Sequence, residues 1–320
     1  MSNPPNAARR TALLLAGAGL LAVLFVLAAR WGSPIGSTRD GTGGGAASEP
    51  RLVVLSPALA QTLRDLGLGG RIVGRHGFDA WTDQAIPACG DQGGIDYEAL
   101  LRARPTHVLV EWGSRPLPER LGVLAVQHGW TVRSFRLLSL EDVLSSVDEL
   151  AALLRPDAAI ERALRARIDS ALSRTPGSPT SGRVLLIIGG GSEAAGVLGP
   201  GSCHAGILDR LGLAPALESG SAFVSMDAED VLRLAPDTIV VIRPRPARIA
   251  SESRSGRVRR EAMGEVLGRL ATLELPAVRD GHVFLIDEPT GLLPCTALIG
   301  IADQLRGWLG PAGQGSPGGS

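Results

Sequence analysis

A chain of 320 residues is long enough for two modest domains or one large one. Its 32 basic and 32 acidic residues cancel, every basic one is Arg, and neither sign forms a long run, which excludes the clustered basic face of a nucleic-acid binder. Aromatic residues make up only 3%, so each Trp or Phe outside an apolar run asks for a role.

Thr11 to Ala29 is uncharged and apolar, follows Arg9 and Arg10, and is close to the roughly 20 residues that cross a bilayer as a helix. The Arg pair is expected to stay inside. Val26 and Ala28 offer a small-residue cleavage site, so residues 1–30 read as a cleaved signal peptide or a membrane anchor, and both readings stand. No Cys follows the apolar run to carry a lipid. The Gly- and Ser-rich stretch 31–50 reads as a flexible linker, and 310–320 as a disordered tail.

From Arg51 the pattern alternates. Apolar strand candidates are Arg51 to Ser56, Arg71 to Gly74, His107 to Trp112, Thr131 to Phe135, Arg183 to Ile188, Thr238 to Ile242 and His282 to Ile286. Helical periodicity falls at Ala58 to Leu66, Tyr97 to Arg104, Pro118 to His128, Ala228 to Leu234, Val258 to Leu273 and Thr296 to Leu309. Apolar strands between amphipathic helices predict an α/β fold with parallel sheets covered on both faces. Leu140 to Arg174 interrupts the alternation, being helical in pattern throughout with one break at Pro156, after which Asp157 can cap a new start. Some 35 residues of helix reach on the order of 50 Å, enough for a backbone helix (139–174) joining an N-terminal lobe (51–138) to a C-terminal lobe (183–309).

A weak internal repeat supports two lobes. Glu98 to Pro105 followed by Thr-His-Val-Leu-Val parallels Glu229 to Pro236 followed by Asp-Thr-Ile-Val-Val. Leu63-Arg-Asp-Leu-Gly-Leu68 likewise parallels Leu208-Asp-Arg-Leu-Gly-Leu213, in the same order on either side of the long helical stretch. Similar lobes leave a cleft, where ligands bind on loops beyond the carboxyl ends of strands. Those loops hold Ser56-Pro57, His76 to Trp81, Trp112 to Arg115, Gly189 to Ser192, Ser202 to His204 and Asp287 to Thr290.

These residues carry a resemblance. RLVVLSPALAQTLRDLGLGGRIVGR, IDYEALLRARPTHVLV, SMDAEDVLRLAPDTIVV and VRDGHVFLID are similar to segments of the class III periplasmic binding proteins of cobalamin, siderophore and heme importers. The resemblance covers nearly all of Arg51 to Leu309. It implies two Rossmann-like lobes joined by a backbone helix, an extracytoplasmic location, a small-molecule metal-chelate ligand, a monomer, and an ABC permease and ATPase as partners. It also places transporter docking on Glu98 and Glu229, one per lobe. The cobalamin-binding members are the most similar: Phe78 falls at their ligand-facing aromatic, Trp81 lies just beyond, and EWGSRPLPERL with Trp112 matches their Trp-containing loop. Asp287, Glu288, Pro289 and Thr290 occupy their second-lobe contact segment, although the aromatic residue expected there is absent. A siderophore or heme ligand stays open. Ser56, Pro57, Ser202 and His204 complete the ligand-binding set.

No cofactor is expected. Cys89, Cys203 and Cys295 form no CxxC pair and allow one disulfide with a free thiol or three buried thiols alike. Cys203, His204 and Cys295 have side chains able to ligate a soft metal, but in no known spacing. Gly189-Gly190-Gly191-Ser192 after a strand lacks the rest of GxGxxG and any Gly-Lys-Ser/Thr. The rival function is therefore a two-lobed oxidoreductase or nucleotide-dependent enzyme without its phosphate motif. An anchored scaffold or sensor of the same fold is the other.

Overall fold

The computed structural model describes residues 49–91, 93–174, 182–189, 194–246 and 253–310. The apolar segment Thr11 to Ala29, the linker to residue 48 and the tail from residue 311 lie outside these. So do 190–193 of the Gly-rich loop, and residues 247–252. Among the described residues no helix is long and apolar enough to cross a membrane.

The strands fall into two sheets. The first contains β1 (Leu52–Leu55), β2 (Ile72–His76), β3 (Ala88–Asp91), β4 (Gly94–Ile95), β5 (His107–Val110) and β6 (Thr131–Ser134), in the order β4-β3-β2-β1-β5-β6. All its pairs are parallel except β3 with β4. Helices α1 (Pro57–Asp65), α2 (Tyr97–Ala103) and α3 (Glu119–His128) connect them. Two helices follow, α4 (Leu140–Leu154) and α5 (Ala158–Ala171).

The second sheet is β7 (Arg183–Ile188), β8 (Ala195–Leu198), β9 (Ala214–Pro215), β10 (Phe223–Met226), β11 (Thr238–Ile242), β12 (Gly256–Arg257) and β13 (Val283–Ile286). Its order is β10-β8-β7-β11-β13-β12, with β9 beside β7. The parallel pairing expected of both sheets forms the centre of each, and antiparallel strands are added at the flanks. β9, β7, β11 and β13 are parallel, but β8, β10 and β12 are antiparallel additions. The helices are α6 (Cys203–Leu211), α7 (Ala228–Leu234), α8 (Met263–Leu267), α9 (Pro276–Arg279) and α10 (Leu298–Leu309). The single helix expected over Val258 to Leu273 is broken into α8 between two 3₁₀ turns, with Gly268 at φ 58 closing α8.

Period two on the strands sends alternate side chains to opposite faces. Leu52 and Val54 face one way and Val53 the other; Val184 and Leu186 oppose Leu185 and Ile187. The outer faces are covered separately, by α2 and α3 on the first sheet and by α7 and α8 on the second. The inner faces of both sheets look into one continuous core filled by α1, α4, α5, α6 and α10.

The connector also differs from the straight helix expected. Arg155 takes a left-handed conformation (φ 49) that ends α4, Pro156 cannot continue it, and the Asp157 carboxylate caps α5 by accepting from Ala159 N and Ile160 N. The two helices fold back on each other, since Arg165 of α5 reaches Asp148 of α4 symmetrically about the turn. The closed end lies on the first lobe, where the Arg71 guanidinium donates to Leu154 O at 3.3 Å. The open end lies on the second, where Leu140 meets Gly206 of α6 and the Arg306 guanidinium donates to Ser170 O.

The internal repeat is structural. Gly67 and Gly212 end α1 and α6 at φ 74 and φ 75, and Leu68 N and Leu213 N close the same loop onto Leu63 O and Leu208 O. α2 and α7 each start from an Asp cap, Asp96 and Asp227, and end on a left-handed residue, Arg104 and Ala235, before a Pro and a buried strand.

Candidate functional site

Parallel strands carry their carboxyl ends to one edge of a sheet, so β2, β1 and β5, which are neighbours, present the aromatic loop 77–82, Ser56 and Glu111 side by side. Ser56 is buried and caps α1, its Oγ accepting from Leu59 N at 3.2 Å while donating to Glu111 Oε2 at 2.7 Å. Pro57 stands at the first helical position, where its missing N–H costs nothing.

Phe78 is 63% exposed, far more than a core aromatic, and Trp81 is half-buried. Their loop is stapled from beneath. Asp79 is fully buried and accepts from Trp81 N (3.0 Å), Thr82 N (3.1 Å) and Thr82 Oγ1 (2.5 Å), with the Arg64 guanidinium 3.8 Å away. His76 Nδ1 accepts from Phe78 N at 3.1 Å. Burial lowers the pKa of this imidazole, against the carboxylates of Asp91 and Asp79 and together with Arg75, so the neutral ring that the bond requires is favoured. Trp112 is half-buried beneath the Arg115 guanidinium, 4.6 Å from the ring centroid.

Glu111 was not among the residues singled out from the sequence, because nothing in its local pattern distinguishes it from a surface acid. Desolvation pushes its carboxyl pKa up, against the Ser56 hydrogen bond. Yet its surface remains open to water. The openness tempers the shift. Its charge reaches the Cys203 thiol of the opposite lobe.

In the second lobe Ser202 repeats the role of Ser56, capping α6 by accepting from Ala205 N at 3.1 Å. His204 is buried with both ring nitrogens engaged, Nε2 with Gly291 O at 2.7 Å and Nδ1 with Cys203 Sγ at 3.4 Å. The carbonyl needs a donor, so Nε2 carries the proton and Nδ1 accepts the thiol S–H. Burial pushes the thiols of Cys203 and Cys295 up to about 12, which keeps them protonated and poor metal ligands. Cys89, Cys203 and Cys295 are free and buried, so of the two cysteine readings the three buried thiols describe the structure. No group of three His, Cys, Asp or Glu side chains able to hold a metal occurs among the described residues.

Asp287 is 5% exposed and already saturated, its carboxylate accepting from Ser253 Oγ, Ser255 Oγ and Arg254 N, each at 2.7 Å. These bonds pull its pKa down against desolvation. It thus clamps the strand-bearing segment 253–257, while Glu288, Pro289 and Thr290 beyond it are half-buried. Glu98 and Glu229 occupy the same place in the first turns of α2 and α7, both exposed. Each helix leads into the start of a parallel strand, so its N-terminus lies at the edge that bears the cleft loops. A cavity of about 540 Å³ lined by Arg260, Met263, Leu273 and Arg279 lies on the outer side of the second lobe, away from all of these groups.

Paired α/β lobes share a core and bring Ser-capped helix ends to matching edges, with the exposed Phe78 beside one of them. A model of the family described as periplasmic binding protein matches residues 52–290, and the chain belongs to that family, whose members are extracytoplasmic substrate-binding proteins. A search of curated protein sequences found no match. Among solved structures, the fold is shared with the periplasmic heme-binding protein BhuT in complex with two hemes (22% identity, 82% of this chain and 98% of that one, TM-score 0.60). It is shared with the periplasmic heme-binding protein HutB of Vibrio cholerae (18%, 82% and 100%, 0.63). The periplasmic vitamin B12-binding protein BtuF of Vibrio cholerae also matches (17%, 81% and 96%, 0.58). At these identities the likeness is one of fold.

Proposed function

We propose that this chain is the solute-binding component of an ABC importer and that it captures a metal chelate between its lobes, a corrinoid in the first place and a ferric siderophore or heme in the second. The observation that carries this reading is Phe78: a large aromatic left 63% exposed on a loop that a fully buried Asp79 holds in place. A solvent-facing aromatic fixed from beneath is a ready wall for a flat apolar ligand. Phe78, Trp81 and Trp112 would supply the faces, with Ser56, Pro57 and Glu111 between them. Ser202, His204, Glu288, Pro289 and Thr290 would form the opposite wall, with Asp287 shaping it. Glu98 and Glu229 would meet cationic side chains of the permease, and the apolar N-terminal segment would hold the chain at the membrane or be removed on export. The test is a thermal-melting and absorption titration with cyanocobalamin, hemin and a ferric siderophore. One of them is expected to raise Tm and shift its own visible bands. No response to any, with a rise on adding a nucleotide, would replace this reading with the enzyme.

A further inference from the structure

The aromatic loops account for the flat faces of a ligand, and Glu111 addresses its edge. This carboxylate stands at the carboxyl end of β5 with its surface open to water, and Ser56 is the one protein donor that reaches it among the described residues. No Arg pairs with it there: Arg115 lies over Trp112, and Arg136 is held by Asp142 at 2.8 Å. On the facing helix, Ser202 takes Ala205 N through Oγ and Gly206 N through its carbonyl. An acceptor at the carboxyl edge of the first sheet, beside the aromatic loops and with lone pairs that no described residue fills, is placed to take donors from a ligand.

We propose that Glu111 is a specificity residue that selects a planar chelate edged with hydrogen-bond donors, neutral amides above all, over one edged with carboxylates. This rests on the reading of the cleft as a metal-chelate site. An amide N–H completes the carboxylate's shell, whereas a carboxylate facing it brings like charges together in a partly desolvated place.

The experiment uses the full chain and three probes: cyanocobalamin, the same corrinoid with side-chain amides hydrolysed to carboxylates, and hemin. The unaltered protein should bind the amide form at least about tenfold more tightly than the acid form, and Glu111→Gln should bring the two to within about twofold. Glu111→Gln removes a desolvated carboxyl, so its Tm should equal or exceed that of the unaltered protein; lost discrimination is then not lost folding. Equal binding of the two corrinoids by the unaltered protein, tighter binding of hemin, or a preference that survives in Glu111→Gln would overturn the role of Glu111 while leaving the cleft a chelate site. Failure of all three probes to bind would bring down the cleft reading, and this proposal with it.

Discussion

His204 shows how one side chain sets a pH limit on the fold. Its burial holds the imidazole pKa below 6.5, with only the bond to Gly291 O acting the other way, and both nitrogens serve only in the neutral tautomer. An unfolded imidazole takes up a proton near 6.5, so the stability it contributes is complete above that pH and lost as pH falls below it. Burial lowers His76 and His107 as well, so Tm should fall between pH 6.5 and 5, before the depressed carboxylates of Asp142 and Asp287 begin to protonate. His204→Gln, which cannot ionise, should show a flatter slope of Tm against pH over this window than the unaltered protein. Residues of this kind were partly legible in advance. Ser56 and Ser202 were picked out as residues of loops at strand ends; that each caps a helix is seen only in the structure. Asp287 was placed on the right loop, but its three protein donors come from residues 32 to 34 positions away, and no local pattern announces them.

Elements were read best where they are long, buried and parallel. β1, β5, β7, β11 and β13 are apolar on both faces and were found within a residue or two. The peripheral strands β3, β4, β8, β9, β10 and β12 were missed, since they are short, mostly carry Gly, Ser or Asp, and form by adding to the flanks of the central parallel strands. The connector was read as nearly continuous helix because both arms have the same periodicity; what folds it is one backbone conformation at Arg155. Two helical glycines illustrate how context outweighs propensity. A Cβ at Gly206 would lie 2.7 Å from Leu140 Cβ, whereas at Gly300 it meets nothing within 4 Å. Gly206→Ala should therefore destabilise by about 1–3 kcal/mol through overpacking, although Ala is the better helix former. Gly300→Ala should stabilise by roughly 0.5–1 kcal/mol. Denaturant midpoints measure both, and a gain at Gly206 would show that α4 and α6 are less closely seated than described.

At the scale of the molecule, the repeat gives each lobe an exposed Glu at one helix start, Glu98 and Glu229. Carboxylates in a first helical turn are held by the dipole and pair well with Arg. Reversing both with Glu98→Arg and Glu229→Arg should lower uptake by the intact transporter at least about tenfold while chelate affinity in solution stays within about twofold. Unchanged uptake would remove the docking role. The pairing of the lobes was legible from the two sequence echoes, but their shared core was not, because it joins faces of strands more than a hundred residues apart.

The folded-back connector has a mechanical consequence. A lone rod between two bodies bends at its ends, whereas α4 and α5 form a double brace, pinned at Arg71 on one side and at Gly206 and Arg306 on the other. Gaping would have to shear both arms through a packed interior at once. The cleft is expected to keep nearly the same width empty or full, so that guests are sorted by thickness on entry and their release depends on force supplied by the permease.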